Sequence, residues 1–391
     1  MRSVKLPSWP ALPAVATALF AMLCVAYGSL RPALNYDVVP YAALAKELRG
    51  EGGKPEAFRD LAAKVGDARF QNYVSGPYRE RMFEDDAYWR QNVPLYTIRP
   101  LYIVAVAGVA VLTGDDISAT YWVSALATAL AVLVSFALGR DLGLSGSWRL
   151  AVPLTWIAAM GLDLASLSTP DALATLLGLL FIRLLASGQP SPARSAGLGL
   201  LGILMVATRT DAVLLVVFLM MTEAYVDRGC WRRALAVALA AIATYVAIQA
   251  LSGNYGYIAV LNFQLIEERG HPLMPNVTPD LPGYFRALVR GAAQVLGGDA
   301  QSALLAVAVS LLTFVVLRTL ASRHAAPASR RADRNLIIAA GLLGQLVTRF
   351  VLFPAPWARY MMSGYVLAGI LFASTVQQAL SRRPASTTAA P

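Results

Sequence analysis

Long apolar runs recur along almost the whole chain, and they limit the possible folds more than any other feature. Hydrophobic residues make up 57% of the 391 residues and charged residues 14%, whereas soluble domains average about 45–50% apolar and about 25% charged residues. Backbone polar groups in lipid must be bonded within the segment, so each run is expected to form a helix. The sequence therefore predicts an all-α polytopic membrane protein.

About ten runs are interpreted as transmembrane helices, with both chain ends in the cytoplasm. They are residues 9–29, 119–139, 150–165, 171–186, 196–208, 212–226, 234–251, 302–317, 335–353 and 361–380. A further apolar run, residues 101–113, covers only about two thirds of a hydrocarbon core of roughly 30 Å. We interpret it as an interfacial or re-entrant helix on the outer side. One transmembrane domain, residues 1–380, is predicted, followed by a disordered cytoplasmic tail, residues 381–391.

Basic residues are concentrated on one side of this arrangement. The formal net charge is +10, and the loops assigned to the cytoplasm contain arginine clusters at residues 228–233 and 330–334. Such a one-sided excess is the positive-inside signature of membrane proteins. It argues against nucleic acid as a partner and sets the orientation of the helices.

Two external segments follow from this topology. The first, residues 31–118, contains roughly half of the 23 acidic residues and is predicted to form interfacial helices. The second, residues 252–301, contains a solvated turn with His271 and an interfacial helix at residues 281–296, with Arg286 and Arg290 on one face. The chain has two cysteines and two histidines, too few and too widely spaced for a zinc site of the Cys/His kind.

Ionisable residues gather at the predicted outer ends of the helices. Charges near membrane depth are costly and by default suggest a functional site. The group comprises Asp37, Arg99, Asp163, Asp171, Arg209, Asp211, Arg349 and Arg359.

The carboxylates of this group each have a structural and a functional interpretation. Asp37 either caps the following helix or acts as a general base. Asp171 suits the first turn of a helix after Pro170. Asp163 and Asp171 flank one predicted external turn, where they would alternatively orient a substrate or share a divalent cation. Asp211 would pair with Arg209 or help to position a substrate.

The arginines are also open to two interpretations. Arg349 lies inside an apolar run and is expected to face the bundle, whereas Arg359 precedes the last helix. An arginine at the headgroup boundary can extend towards lipid phosphate. Alternatively, Arg209, Arg349 or Arg359 holds the phosphate of a lipid-linked donor, for which guanidinium geometry is suited.

A series of short motifs carries a family resemblance. In chain order they are Asn35-Tyr36-Asp37 followed by Tyr41, Arg99-Pro100-Leu101-Tyr102, Ser168-Thr169-Pro170-Asp171, Arg209-Thr210-Asp211 and Trp357-Ala358-Arg359-Tyr360. In this order, on one membrane face, the pattern resembles the GT-C class of integral-membrane glycosyltransferases. That class includes protein O-mannosyltransferases and lipid A aminoarabinose transferases.

The resemblance implies a function and a set of roles. The donor would be a polyprenyl-phosphate-linked sugar, and the acceptor a lipid, glycan or protein outside a bacterial inner membrane. Asp37 would be the catalytic base. Arg99, Arg209, Arg349, Arg359 and Tyr360 would bind the donor phosphate, while Tyr41, Asp163, Asp171 and Asp211 would position substrate. Asp37 stands alone before Val38, so no metal is assigned to it, although the need for a divalent cation elsewhere stays open.

Two other functions remain open at the level of the sequence. One is a transporter or a lipid-linked-glycan flippase, although such carriers usually place ionisable residues in the middle of the membrane. The other is a polysaccharide polymerase or ligase that uses the same donors on another fold. A cavity over the outer helix ends that reaches Asp37 would favour the glycosyltransferase.

Overall fold

A computed structural model describes residues 11–187, 191–266, 278–325 and 330–381. Within these ranges the chain is helical, and the one β interaction is an isolated parallel bridge between Ala33 and Leu167. The predicted solvated turn around His271 lies outside the described residues. So does the predicted tail after Ser381.

The amino-terminal third consists of two long apolar helices separated by seven shorter ones. The helices are α1 (Leu12–Leu30), α2 (Val38–Arg49), α3 (Lys54–Val65), α4 (Asp67–Val74), α5 (Pro77–Glu84), α6 (Asp86–Asn92), α7 (Pro94–Thr97), α8 (Pro100–Thr113) and α9 (Asp116–Asp141). Glycine or proline at most of the junctions between α2 and α8 keeps these helices short.

The remainder of the chain adds eleven α-helices among the described residues. They are α10 (Ala151–Ala158), α11 (Gly161–Ser166), α12 (Asp171–Ala186), α13 (Pro192–Thr208), α14 (Ala212–Val226), α15 (Trp231–Leu251), α16 (Gly256–Leu261), α17 (Leu281–Gly297), α18 (Ala300–Ala325), α19 (Arg330–Leu352) and α20 (Met362–Ser381). A π-helical turn, Asn262–Ile266, follows α16, and a 3₁₀ turn, Ala358–Met361, precedes α20.

Five of the described helices are long and apolar enough to cross a membrane: α1, α9, α15, α18 and α19. A sixth candidate consists of α6–α7 together with α8, which meet at a bend of 99°. This bend is the geometry of either a broken span or a re-entrant segment. The chain is thus an all-helical protein with several helices of membrane-spanning length. Two further apolar helices, α13 and α14, have only 17 and 15 residues.

Several predicted helix boundaries were wrong. The predicted helix 150–165 is broken into α10 and α11 because Met160 has a left-handed backbone (φ 61°), which ends a right-handed helix. Helix α9 begins at Asp116, three residues before the predicted start, since the Asp115 carboxylate accepts hydrogen bonds from the Ile117 and Ser118 amides. Helix α18 extends to Ala325, well past the predicted end at residue 317.

The segment predicted to be external, residues 31–118, has a core of its own and is called the first external segment. Tyr41, Tyr96 and Tyr102 pack edge to face with ring centroids 4.7 and 5.4 Å apart, and a second cluster forms around Phe58 and Trp89. Both clusters include residues of α9. The segment is therefore held against the helix bundle by buried apolar surface.

Ion pairs collect at the two opposite ends of the helix bundle. At one end Arg194 and Arg233 bind Glu223 at 3.2 and 2.7 Å, joining the start of α13, the end of α14 and the start of α15. At the other end Arg209, in the turn between α13 and α14, binds Asp171 at the start of α12. This second end also lies under the first external segment.

Candidate active site

A cavity of about 370 Å³ lies where the first external segment meets the bundle. Helix starts, a helix junction and loops from distant parts of the chain converge on it. Its polar and aromatic lining residues include Tyr36, Asp37, Tyr78, Arg79, Tyr96, Arg99, Thr169, Asp171, Arg209, Phe263, Gln264, Trp357, Arg359 and Tyr360. It is large enough for a small ligand.

Asp37 stands at the N-cap position of α2, but its side chain makes no capping hydrogen bond. The carboxylate instead accepts hydrogen bonds from Asn35 Nδ2 at 2.9 Å and from the Tyr96 hydroxyl at 3.4 Å. The Arg359 guanidinium approaches it to 4.0 Å. The carboxylate is 28% exposed, so it is both oriented and accessible from the cavity.

Asn35 fixes the loop that carries Asp37. Its side-chain Nδ2 donates a hydrogen bond to Asp37, and its side-chain Oδ1 accepts one from the backbone amide of Ser168 at 3.3 Å. The Ala33 amide also donates to the Ser166 carbonyl at 2.9 Å. These bonds attach the start of the first external segment to the turn that leads into α12. The position of Asp37 is therefore set by the bundle.

Asp171 lies on the same cavity wall and is 1% exposed. Its carboxylate accepts from the Thr169 hydroxyl at 2.6 Å and from the Arg209 guanidinium. Arg359 Nε lies 3.8 Å from it. Arg359 is thus placed between Asp37 and Asp171, within 4.0 Å of both carboxylates.

Arg209 and Arg349 share the Asp211 carboxylate. Arg209 donates to both Asp211 oxygens at 3.0 and 2.9 Å, and Arg349 Nε donates to Oδ2 at 3.1 Å. Burial raises the pKa of Asp211, but the two guanidinium groups more than offset this effect and hold the pKa below its ordinary value. Arg209 lines the cavity, whereas Arg349 and Asp211 do not. Arg349 and Asp211 thus help to hold Arg209 in place, and their roles in binding donor phosphate and in positioning substrate stay predictions.

Tyr360 contacts three of the four arginines that were predicted to bind the donor phosphate. The guanidinium carbons of Arg209, Arg349 and Arg359 lie 4.2, 5.0 and 5.0 Å from its ring centroid. An aromatic face attracts cations through its quadrupole. The attraction of the Tyr360 ring for each guanidinium group therefore offsets part of the repulsion among the three positive charges.

Arg99 lines the cavity, but Tyr41 does not. Tyr41 is fully buried and its hydroxyl accepts a hydrogen bond from the Arg99 guanidinium. A role for Tyr41 in positioning substrate stays a prediction, and in this geometry it would act through Arg99. Tyr41 lies one helical turn after Asp37 on α2, so it links Arg99 to the helix whose start carries Asp37.

Asp163 belongs to a second, smaller cavity of about 290 Å³. Helix α11 places Asp163 beside Met160, Leu164 and Gln301 in that cavity, whereas Asp171 lines the first. The two carboxylates line different cavities, which does not fit the alternative in which they share a divalent cation. Among the described residues, no group of three or more His, Cys, Asp or Glu side chains is arranged to hold a metal ion.

The two cavities share a wall formed by Trp357 and Arg359. Trp357 stacks edge to face on Tyr360 with centroids 5.2 Å apart. The segment before α20 therefore presents one arginine to both spaces.

Several lining residues were not identified from the sequence. Arg79 enters the cavity from the start of α5, and its guanidinium lies 5.6 Å from the Tyr36 ring centroid. Tyr96 and Gln264 enter from α7 and from the π-helical turn. The Gly76-Pro77 pair was a usable signal for a tight turn that begins a helix, but it says nothing of where the helix points.

Charge in the main cavity is unbalanced. Among the residues that the structure describes, four arginines line it (Arg79, Arg99, Arg209 and Arg359) and two carboxylates do (Asp37 and Asp171). This surplus of guanidinium groups is suited to an anionic ligand held next to one accessible carboxylate.

Comparison of the chain with protein-family models, with curated proteins and with solved structures gave no match.

Proposed function

We propose that this protein is a membrane glycosyltransferase of the GT-C type. It transfers a sugar from a polyprenyl-phosphate-linked donor to a lipid, glycan or protein acceptor on the extracytoplasmic face of a bacterial inner membrane. The observation that carries the proposal is the main cavity, in which the Asp37 carboxylate faces an excess of guanidinium groups.

The proposed reaction uses Asp37 as the general base. Its carboxylate takes the proton of an acceptor hydroxyl as the acceptor oxygen forms a bond to the anomeric carbon of the sugar. The bond between that carbon and the phosphate oxygen breaks, and the electron pair leaves with the polyprenyl phosphate. Removal of a positioned general base typically lowers a rate about 10²- to 10⁴-fold.

The arginines would stabilise the leaving phosphate. Arg359 and Arg99 face the cavity, and Arg209 is held beside them by Asp171 and Asp211. Positive groups that are already in place need no reorganisation as negative charge develops. Asp171 thus serves the reaction by orienting Arg209 and Arg359.

The proposed membrane arrangement is the ten-span topology with both ends in the cytoplasm. Besides the five helices of spanning length, it uses α10–α11, α12, α13, α14 and α20. At 1.5 Å per residue, α12 to α14 measure roughly 22 to 26 Å, short of a hydrocarbon core of about 30 Å. Local thinning of the bilayer accommodates such a mismatch at modest cost.

Transfer of label from defined donors tests the proposal. Membranes containing the protein are incubated with radiolabelled polyprenyl-phosphate sugars, and label is measured in the lipid, glycan and protein fractions. We expect incorporation with the wild type and a loss of about 10²-fold or more with Asp37→Asn, because an amide cannot take the proton.

Asp67→Asn is the matched control. Asp67 begins α4, is exposed and does not line the cavity. This control should retain full transfer, and both variants should unfold at the wild-type temperature in detergent. Wild-type rates with Asp37→Asn would show that Asp37 is not the base. Absence of incorporation from every donor, combined with movement of labelled lipid across the bilayer, would favour the flippase.

A further inference from the structure

Helix α17 exposes an apolar stripe that no described part of the chain covers. Leu281, Phe285, Val289 and Leu296 are 62, 59, 69 and 85% exposed. In an α-helix these positions fall within one narrow sector, since successive residues are 100° apart. The stripe runs nearly the full length of the 17-residue helix.

The opposite face of α17 is closely packed on the bundle. Gly283, Ala287 and Gly291, at intervals of four residues, are its buried positions. A methyl group added at Gly291 would overlap the carbonyl oxygen of Pro354, and the Tyr284 hydroxyl donates to the Val351 carbonyl at 2.6 Å. The orientation of the helix, and with it the direction of the apolar stripe, is therefore fixed.

Two arginines border the stripe. Arg286 and Arg290 are both exposed and one turn apart, on the sector between the apolar stripe and the buried face. Arg286 is 69% exposed and lies 4.0 Å from Asp280. Among the described residues, no carboxylate lies within ion-pair distance of Arg290. The flank therefore carries excess positive charge.

The position of α17 in the chain fixes its depth. Only two residues, Gly298 and Asp299, separate it from α18, one of the helices long and apolar enough to cross a membrane. The packed face contacts Val351 in the last turn of α19 and Pro354 in the loop that follows. Helix α17 is thus held at the end of the bundle that carries the main cavity.

We propose that α17 lies in the membrane–water interface, with its stripe among the acyl chains and Arg286 and Arg290 on the phosphates of anionic lipids. An apolar stripe beside basic residues is the pattern of helices that lie in the plane of a membrane. A basic residue near an anionic surface contributes about 1 kcal/mol, equivalent to roughly fivefold in local lipid enrichment. Anionic headgroups supply the opposite charge that the arginine flank lacks.

Lipid-dependent quenching tests this proposal on the full-length protein. A fluorophore is attached at Phe285→Cys or Val289→Cys, and the protein is placed in nanodiscs with a minor fraction of phosphatidylglycerol in phosphatidylcholine. In one sample the phosphatidylglycerol carries a brominated acyl chain, which quenches the fluorophore, and in a second sample the phosphatidylcholine carries it. The two native cysteines are buried, and labelling of the wild type checks that they do not react. We expect brominated phosphatidylglycerol to quench roughly fivefold or more above its mole fraction.

Variants separate the apolar stripe from the arginine flank. Arg286→Gln/Arg290→Gln should reduce quenching by phosphatidylglycerol to its mole fraction while quenching by phosphatidylcholine persists. The control Arg59→Gln/Arg69→Gln removes two exposed arginines from α3 and α4 and should leave the enrichment unchanged. A fluorophore at Arg59→Cys should be quenched by neither lipid.

Three results would overturn the proposal. The first is that no brominated lipid quenches the fluorophore. The second is that the fluorophore is shielded from soluble iodide as well as from lipid, which would indicate a protein partner on the stripe. The third is that quenching by phosphatidylglycerol follows its mole fraction in both the wild type and the double variant. None of these measurements depends on sugar transfer. The lipid contact and the proposed function can therefore fail separately.

Discussion

At the scale of single residues, the site consists of an inner layer that faces the cavity and an outer layer that holds it. Asp37, Arg209 and Arg359 belong to the inner layer, and Asp211 and Arg349 to the outer one. Substitutions in the outer layer are expected to affect stability more than substrate binding, because the charges of Asp211 and Arg349 neutralise each other.

We expect Asp211→Asn to destabilise the protein by about 3 kcal/mol, since two buried guanidinium groups lose their shared counter-charge. The measurement is unfolding in detergent at neutral pH. Arg349→Met should cost a similar amount, and the double variant should cost less than the sum because each change removes the same interaction. Additive effects would show that Asp211 and Arg349 do not act as a pair.

The same pair predicts an acid dependence. The pKa of Asp211 is lowered in the folded protein, so its contribution to stability is fully present above its ordinary pKa of 3.8. It is lost as the pH falls through the lower value of the folded state. Between pH 7 and pH 3 the unfolding temperature of Asp211→Asn should therefore fall less than that of the wild type. Parallel pH profiles would contradict this linkage.

The residue types at the site were more predictable from the sequence than the role of each residue. Charges near membrane depth and the order of the motifs singled out Asp37, Arg99, Arg209 and Arg359, all of which line one cavity. The same reasoning did not separate Arg349 from Arg359, because both are arginines at helix ends. Which of them faces the cavity depends on tertiary packing, as does the entry of Arg79 from α5.

At the scale of elements, close packing of helix α17 on the loop before α20 connects the outer surface to the site. The backbone of Gly291 lies so close to the Pro354 carbonyl that a side chain at position 291 would overlap it. The loop that contains Pro354 leads on to Trp357 and Arg359. The amphipathic pattern of α17 was visible in the sequence. Its contact with Pro354 was not, because the two positions are far apart in the chain.

We expect Gly291→Ala to destabilise the protein by about 1 to 3 kcal/mol through overpacking, although alanine is the better helix former. Transfer activity should also fall, since the loop that carries Arg359 must move. Gly297→Ala, in the last turn of the same helix, has open space around the added methyl group and should be neutral or stabilising. Unfolding of both variants in detergent decides the matter: equal stability would exclude the close contact.

At the scale of the whole molecule, the helix ends are sorted into two polar layers separated by apolar packing. One layer contains the main cavity, and the other contains the Arg194–Glu223–Arg233 cluster and the pair between Arg183 and Asp141. Consecutive helices α12 to α15 run alternately between these layers, as short connections require. Hydrophobic patterning predicted this alternation because it depends on local sequence, whereas the same patterning did not predict the break at Met160.

We expect the layer that contains the main cavity to face the outside of the membrane. If the cavity faces outward, a membrane-impermeant maleimide added to intact cells should label Arg59→Cys on α3, which is 71% exposed at its side chain. Arg140→Cys, near the end of α9, and Arg228→Cys should both be labelled only after the membrane is opened. The Arg140 side chain is 61% exposed, and Arg228 is also exposed. Basic residues crowd the Arg228 side, and the positive-inside rule places that side in the cytoplasm. Labelling of Arg228→Cys in intact cells together with protection of Arg59→Cys would invert the molecule. Asp37 would then lie in the cytoplasm, where the proposed extracytoplasmic acceptor cannot reach it.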